Sequence, residues 1–306
     1  MDTEDSPSQT GDRSIAPYLA LVPAQVFFGS LPVIGKVVLT VIPPMALVGI
    51  RVGVTAVILV AIQSFRGRLW LKERGDYGRF AVLSLFGVVF NQLLFISGLS
   101  LTKASNVSLL AVLIPVFALT IGAMIGSERL TALKIAGICL AGAGVVILID
   151  PRNASFSSST TLGDLLIILN CLSYAIYVAT SKGAIVRNGT FRSMMWVFVF
   201  ASIISVPIGA ISMSAVDVSS IAPMIWLLTL HIAIVATAAP YLLNAWALAK
   251  VGASTVAVFV YLQPLIGFLL AVAFLGEAVD AVFIASCVLI FVGVFMVTRK
   301  FVPSET

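Results

Sequence analysis

Polar side chains recur at helical spacing inside segments that are otherwise apolar. Asn170, Tyr174 and Tyr177 are spaced i, i+4 and i+7, and Tyr241 and Asn244 are spaced i, i+3, so each set shares one helical face. Amides and phenols can orient amino and carboxylate groups, and aromatic rings supply apolar area for a pocket. Asn and Gln also hydrogen-bond one membrane helix to another, so for any one residue both interpretations stay open. As a set drawn from several helices, they predict a shared binding cavity. The remaining candidates are Gln25, Phe28, Asn91, Gln92 and Gln263.

The segments that carry these residues are predicted to cross a membrane. Of 306 residues, 60% are apolar and 10% are charged, whereas a soluble domain has about 45–50% and about 25%. Apolar stretches of about 20 residues recur, each long enough for a bilayer core of ~30 Å. The stretches are continuous rather than alternating, which indicates helices and not the strands of a barrel. The composition therefore predicts an all-α polytopic membrane protein.

Apolar runs bounded by charges and turn residues predict ten transmembrane helices. We expect residues 1–16 and 299–306 to be cytoplasmic tails and the Ser-rich residues 150–161 to be an extracytoplasmic linker. The predicted spans are 17–39, 44–65, 79–101, 104–126 and 130–149, and then 162–184, 193–213, 221–248, 251–275 and 280–298.

The basic residues predict the orientation. With a cytoplasmic N-terminus, fourteen of the eighteen Lys and Arg residues fall on the inner side, and only Lys36, Lys103 and Arg152 fall outside. Basic loops are retained in the cytoplasm, so both termini are predicted inside a cell (inner) membrane. The net charge of +5 is spread over short loops, which argues against nucleic-acid binding.

Two segments align without a gap at a shift of 149 residues: KASNVSLLAVLIPVFALTIGAMIGSE and GASTVAVFVYLQPLIGFLLAVAFLGE. The shift pairs Pro115 with Pro264 and Glu128 with Glu277. Chance similarity between apolar helices explains matched Leu and Val, but it explains a matched internal proline and terminal glutamate poorly. We therefore expect an internal duplication. Five spans per copy is an odd number, so the copies would be inverted, a plan that recurs among secondary transporters.

The matched residues have local interpretations. Pro115 and Pro264 each remove a backbone donor, so we expect structural kinks, either for packing or beside a cavity. Glu128 and Glu277 each end one span just before the next begins, where a carboxylate can cap the N-terminus of the following helix.

At these residues the chain resembles the EamA family of the drug/metabolite transporter superfamily, whose members carry two five-helix halves. The resemblance covers nearly the whole chain and implies repeats at 17–149 and 162–298. At the first aromatic position the family more often has Trp than Phe28. Relatives export amino acids and other small metabolites, and more distant ones carry nucleotide sugars, phosphorylated metabolites or lipid-linked sugars. The matching pattern comprises Phe28-Gly29 and Tyr174-Ala175, Ala104-Ser105 and Ala253-Ser254, and the paired prolines and glutamates.

Arg51 and His231 are titratable residues within predicted spans. A charge in the membrane is a functional candidate by default. Arg51 lies about seven residues from Pro44, within reach of the interface, and the resemblance places arginine here in members with different substrates. We expect a structural role for Arg51. His231, the sole histidine, is expected to be a neutral buried residue.

These features predict a secondary carrier that exports a small neutral or zwitterionic metabolite, with an amino acid first. No basic pair at mid-depth would clamp a phosphate, and no carboxylate there would bind a cation. A nucleotide-sugar or phosphorylated-metabolite exchanger and a lipid-linked sugar flippase stay open, as does a non-transporting membrane scaffold. An enzyme would need an acid–base pair, nucleophile or metal cluster that the sequence does not suggest. We expect no cofactor and no metal, the substrate and the lipid bilayer as partners, and a monomer.

Overall fold

The computed structural model describes residues 15–102, 106–107, 110–149, 161–266 and 281–298. Within these ranges all regular structure is helical. Six helices are long and apolar enough to cross a membrane: α1 (Ala16–Val38), α2 (Pro44–Arg66), α3 (Arg74–Leu101), α6 (Thr161–Asn188), α7 (Thr190–Met213) and α8 (Pro223–Leu248). Shorter apolar helices are α4 (Leu113–Met124), α5 (Ala132–Ile149), α9 (Ala253–Ile266) and α10 (Ala281–Thr298).

The prediction of an all-α, multi-pass membrane protein is confirmed at this level, and the count of ten spans stays a prediction. Proline and glycine define several helix ends. Pro44 and Pro223 occupy the first turns of α2 and α8, where a missing backbone N–H costs nothing. Helix α2 ends at Arg66, and the following Gly67 has a φ of 112°, which is disfavoured for other residues.

Two of the long helices contain a π-helical segment. In α3 it covers Leu85–Val89, and in α8 it covers Ile234–Ala238. The two segments are 149 residues apart, the offset that aligns the two halves in the sequence. A π-helical turn widens the helix and is frequent at functional sites. The same local irregularity therefore occurs at matched positions of the two halves.

Helices α2 and α7 approach closely where Gly49 meets Gly209. A Cβ atom on Gly49 would lie 2.7 Å from the Gly209 Cα, and one on Gly209 would lie 2.6 Å from the Gly49 Cα. Small residues allow such contact between membrane helices, where association depends on van der Waals packing. Glycine at both positions is what permits this crossing.

Helices α5 and α10 pack antiparallel through small residues. A Cβ on Gly137 would lie 2.8 Å from the Gly293 carbonyl oxygen, and one on Gly144 would lie 2.9 Å from the Ser286 carbonyl oxygen. At the 149-residue offset, Gly137 corresponds to Ser286 and Gly144 to Gly293. Exchanging the two halves therefore converts one of these contacts into the other.

Hydrogen bonds join α3 to both ends of α6. At one end, Asp164 accepts a 2.6 Å hydrogen bond from the Thr102 hydroxyl. At the other end, Asp76 accepts a 2.8 Å bond from the Asn188 amide and forms an ion pair with Arg187. These polar groups satisfy one another at the helix ends, where they would otherwise be buried without partners.

Two lysines bind the carbonyl-bearing ends of other helices. Lys36 donates to the Thr102 carbonyl at 3.0 Å, just after α3, and Lys182 donates to the Val251 carbonyl at 2.7 Å, just after α8. A cation is favourable there because the last carbonyls lack helical partners. Thr102 and Val251 are again 149 residues apart.

Candidate binding cavity

A cavity of about 110 Å³ lies among α1, α2, α3, α4, α6, α8 and α9. At ~10–15 Å³ for each water-sized group, it has room for about ten such groups, the size of a small metabolite. Its apolar wall includes Leu31, Phe95, Ile114 and Ile167. Seven of the ten predicted binding residues line it: Phe28, Asn91, Gln92, Asn170, Tyr174, Tyr241 and Gln263.

One wall is a hydrogen-bonded group from three helices. The Tyr241 hydroxyl is 3.0 Å from Asn91 Oδ1, and it donates to the Gly87 carbonyl at 2.9 Å. The Asn170 amide donates to the Asn91 carbonyl at 2.6 Å. These bonds fix the Asn91, Asn170 and Tyr241 side chains in orientation, so the polar wall is preformed.

The π-helical segment of α3 supplies backbone acceptors to this region. The Gly87 carbonyl accepts from Tyr241, and the neighbouring Phe86 carbonyl accepts a 2.7 Å bond from the Ser173 hydroxyl of α6. Backbone groups inside a membrane need partners. Here side chains of α6 and α8 supply them.

An aromatic layer closes the cavity toward the C-terminal ends of α6 and α8. Phe28 packs edge-on against Tyr241, with ring centroids 5.7 Å apart, and the Asn244 amide is 3.2 Å from the Tyr174 hydroxyl. Tyr177 and Asn244 line a separate pocket of about 10 Å³ beyond this layer, enough for one water at most. These two predicted residues are therefore adjacent to the main cavity and do not face it.

Gln25, the tenth predicted residue, is fully buried behind Gln263. The Gln263 amide donates to Gln25 Oε1 at 2.8 Å, which links α1 to α9. Gln25 does not line the cavity, so the sequence prediction placed it one layer too near the centre.

The twin prolines sit just after breaks in their helices. Pro115 is the third residue of α4 and follows a turn at residues 111–112, while Pro264 follows the 3₁₀ segment Phe259–Tyr261. Pro264 lines the cavity. Pro115 is buried and is not among the cavity-lining residues, so it contributes to packing.

The Glu128 carboxylate caps a different helix from the one expected. Its Oε1 accepts a 3.1 Å bond from the backbone N–H of Ser254, in the first turn of α9, and it forms an ion pair with Lys134 of α5. The order of the sequence does not reveal this contact, because α9 belongs to the other half of the chain and begins beside Glu128 only in the folded protein. The prediction for Glu277 falls outside the described residues.

Arg51 corrects a second expectation. It does not reach the interface but is only 2% exposed, and it lines the cavity. Its Nε donates to the Thr237 hydroxyl at 3.0 Å, and Thr237 donates in turn to the Ile232 carbonyl at 2.8 Å. The neighbouring Thr55 donates to the Ala233 carbonyl at 3.0 Å. The guanidinium is held in the bundle because α2 packs there against the π-helical segment of α8.

His231 also lies on α8, and its Nε2 is buried without a hydrogen-bond partner among the described residues. It does not line the cavity. Among the described residues, no three His, Cys, Asp or Glu side chains lie close enough together to hold a metal ion.

A family model described as the EamA-like transporter family matches residues 15–150 and 161–299, which together are most of the chain. The chain belongs to the EamA-like transporter family. It is therefore a multi-pass membrane transporter, as the sequence predicted at this level.

Two relatives of this EamA-like chain are uncharacterized transporters from Archaeoglobus fulgidus. One is 26% identical over 266 residues, covering 87% of this chain and 91% of the relative, and the other is 25% identical over 259 residues, covering 84% and 89%. A solved crystal structure of a protein matches with a TM-score of 0.74 at 19% identity and covers 92% of this chain and 96% of its own. At that identity the match supports the fold alone.

The sequence interpretation of this EamA-like transporter missed part of the cavity wall. Arg51 was not placed among the binding residues, because depth along a span does not reveal which side of the helix faces a cavity. Ile167 and Cys171 also line the cavity. They are one turn or less from Asn170 and on its face, so helical spacing was a usable signal for them.

Proposed function

We propose that this EamA-like transporter is a secondary carrier that exports a small neutral or zwitterionic metabolite, with an amino acid as the first candidate. The observation that carries the proposal is the cavity itself. It is lined by helices from both halves of the chain, and its lining combines hydrogen-bonded amides and phenols with apolar side chains. Such a combination orients a small polar molecule while accommodating its side chain.

Alternating access requires two bodies that can rock about a central site, and inverted repeats supply them. We propose ten spans in two inverted five-helix repeats, at 17–149 and 162–298. The offset of 149 residues supports this plan, since it relates the two π-helical segments and the two lysine-capped helix ends. The reciprocal α5–α10 contacts support it independently.

Size and charge favour a small substrate over the alternatives. A cavity of about 110 Å³ suits a small metabolite better than a nucleotide sugar or a lipid-linked sugar. Arg51 is the one basic side chain that lines the described cavity, whereas a phosphate dianion is usually held by several cations.

The orientation rests on the distribution of basic residues. We propose that both termini are cytoplasmic, that residues 150–161 lie on the outer face, and that the protein resides in the cell (inner) membrane. The export direction rests on the family resemblance, and a monomer is the proposed functional unit.

Counterflow in proteoliposomes tests the proposal. Vesicles preloaded with unlabelled amino acids, nucleosides or sugar phosphates should take up the matching labelled compound faster than empty vesicles, and we expect this for an amino acid. Acceleration by preloading is specific to a carrier, so a channel or a scaffold would not show it. Protein-free vesicles and the exposed-site variant Arg66→Gln are the controls. Acceleration by sugar phosphates alone would contradict the proposed substrate class, and no acceleration by any compound would contradict the carrier.

A further inference from the structure

We propose that Arg51 binds the carboxylate of the transported molecule, which makes that molecule a small carboxylic acid such as an amino acid. This inference rests on the proposed function and names the chemical group by which the same cavity recognises its substrate.

The guanidinium is buried and only partly satisfied. Arg51 is 2% exposed, its Nε is bonded to Thr237, and its Nη1 has no hydrogen-bond partner among the described residues. A buried cation without a counter-ion is costly, and such residues in membrane spans usually pair with an anion. The bond to Thr237 fixes the plane of the guanidinium, and Arg51 is one of the residues that line the cavity.

Among the described residues, no carboxylate forms an ion pair with Arg51. The acidic side chains there are engaged near helix ends: Glu128 with Lys134 and Ser254, and Asp164 with Thr102. The others have partners of their own or lie in an exposed turn, namely Glu73, Asp76 and Asp217. The missing anion is therefore expected to arrive with the substrate.

Arginine suits a carboxylate better than lysine would. Its planar fork can donate two parallel hydrogen bonds to both oxygens of one carboxylate, which fixes the orientation of the ligand as well as its charge. One guanidinium matches one negative charge, so the cavity favours a monocarboxylate over a phosphate. Gln92, whose amide oxygen has no hydrogen-bond partner among the described residues, and the aromatic residues Tyr174 and Tyr241 also line the cavity, and such groups are suited to an ammonium, so a zwitterion fits.

Matched ligands test the carboxylate directly in the wild-type protein. Alanine, leucine and phenylalanine, their amides, and 4-methylpentanoate are compared for thermal stabilisation of the detergent-purified carrier and for competition in counterflow. At least one amino acid should bind about tenfold or more tightly than its amide, because the amide cannot accept both charged hydrogen bonds. The acid 4-methylpentanoate, which lacks the ammonium, should compete better than leucinamide. Equal binding of acids and amides, or no binding by any acid, overturns the inference.

Variants then assign the preference to Arg51. In Arg51→Gln the ratio of acid to amide affinity should fall to within about threefold, and Arg51→Lys should recover part of it. Arg66→Gln, an exposed arginine on the same helix, should keep the wild-type ratio. A merely structural arginine would lower stability without changing this ratio, so a preserved ratio in Arg51→Gln overturns the assignment. If Arg51→Gln does not fold, Thr237→Val, which frees the guanidinium, should lower the ratio, and an unchanged ratio there overturns it.

The two levels of the hypothesis fail separately. Counterflow of nucleosides with no binding of acids would retain a carrier and reject the carboxylate site. Arg51-dependent binding of acids without counterflow of any compound would retain the site and reject the carrier.

Discussion

The hydroxyl of Tyr261 donates a 2.8 Å hydrogen bond to the backbone carbonyl of Val112, and the two residues are 149 positions apart. That number is the offset between the two aligned halves of the sequence. A residue that contacts its own counterpart must lie beside the axis relating the two copies. In the proposed inverted repeat, the axis therefore passes between α4 and α9, next to the cavity that contains Gln263 and Pro264.

The orientation of the chain can be tested with cysteines on opposite faces. Ser220 and Arg68 are both exposed loop residues. In a background where Cys139, Cys171 and Cys287 are replaced by Ala, Ser220→Cys should react with an impermeant maleimide on intact cells. Arg68→Cys should react only after the cells are permeabilised, because the basic loops are predicted to be cytoplasmic. The reverse pattern would invert the topology, and equal labelling would contradict the predicted sides.

The polar wall should be required for transport and dispensable for folding. Tyr241→Phe removes the hydroxyl that donates to the Gly87 carbonyl and lies 3.0 Å from Asn91 Oδ1. We expect counterflow to fall about fivefold, because the hydroxyl orients the wall that meets the substrate and one hydrogen bond is worth roughly 1 kcal/mol. Tyr174→Ala and Gln263→Ala should also reduce transport, with detergent melting temperatures near wild type. Tyr18→Phe, away from the cavity, is the control. Normal transport by all three cavity variants would contradict a binding site in this cavity.

The α2–α7 crossing should tolerate no side chain. Gly49→Ala places a Cβ 2.7 Å from the Gly209 Cα, so the backbones must separate. Overpacking of this kind costs about 1–3 kcal/mol, and we expect a melting temperature several degrees lower. Gly78→Ala is the matched control, because its Cβ would meet nothing within 4 Å. Equal melting temperatures of Gly49→Ala and Gly78→Ala would contradict the close packing.

Transport of a zwitterion should be insensitive to a pH gradient. Proton coupling needs a titratable group that both sides of the membrane reach in turn. Glu128 and Asp164 are more buried than expected from their position at span ends, but both are engaged and neither lines the cavity. His231 is also outside it. In proteoliposomes an imposed pH gradient should leave the equilibrium distribution of substrate unchanged. Uphill accumulation that is lost in His231→Ala would show proton coupling.

The sequence predicted some features of this molecule and missed others for physical reasons. Apolar length alone located helices such as α2 and α8, since lipid imposes one requirement on every span. Helical spacing correctly grouped Asn170 with Tyr174. By contrast, the burial of Arg51 was not predicted, because its partner Thr237 is 186 residues away and no local pattern marks such a contact. The Glu128 contact with Ser254 likewise joins residues that are 126 positions apart.

The hydrogen bonds between α3 and α6 have a mechanical consequence. These helices are joined at one end through Asp164, at the other through Asn188, and in the middle through Asn170. Three hydrogen-bonded contacts along their length oppose sliding of one helix past the other. We therefore expect α3 and α6 to move together as one rigid body during transport. A change of conformation would then alter the contacts of α3 and α6 with α8, such as the hydrogen bond from the Tyr241 hydroxyl to the Gly87 carbonyl.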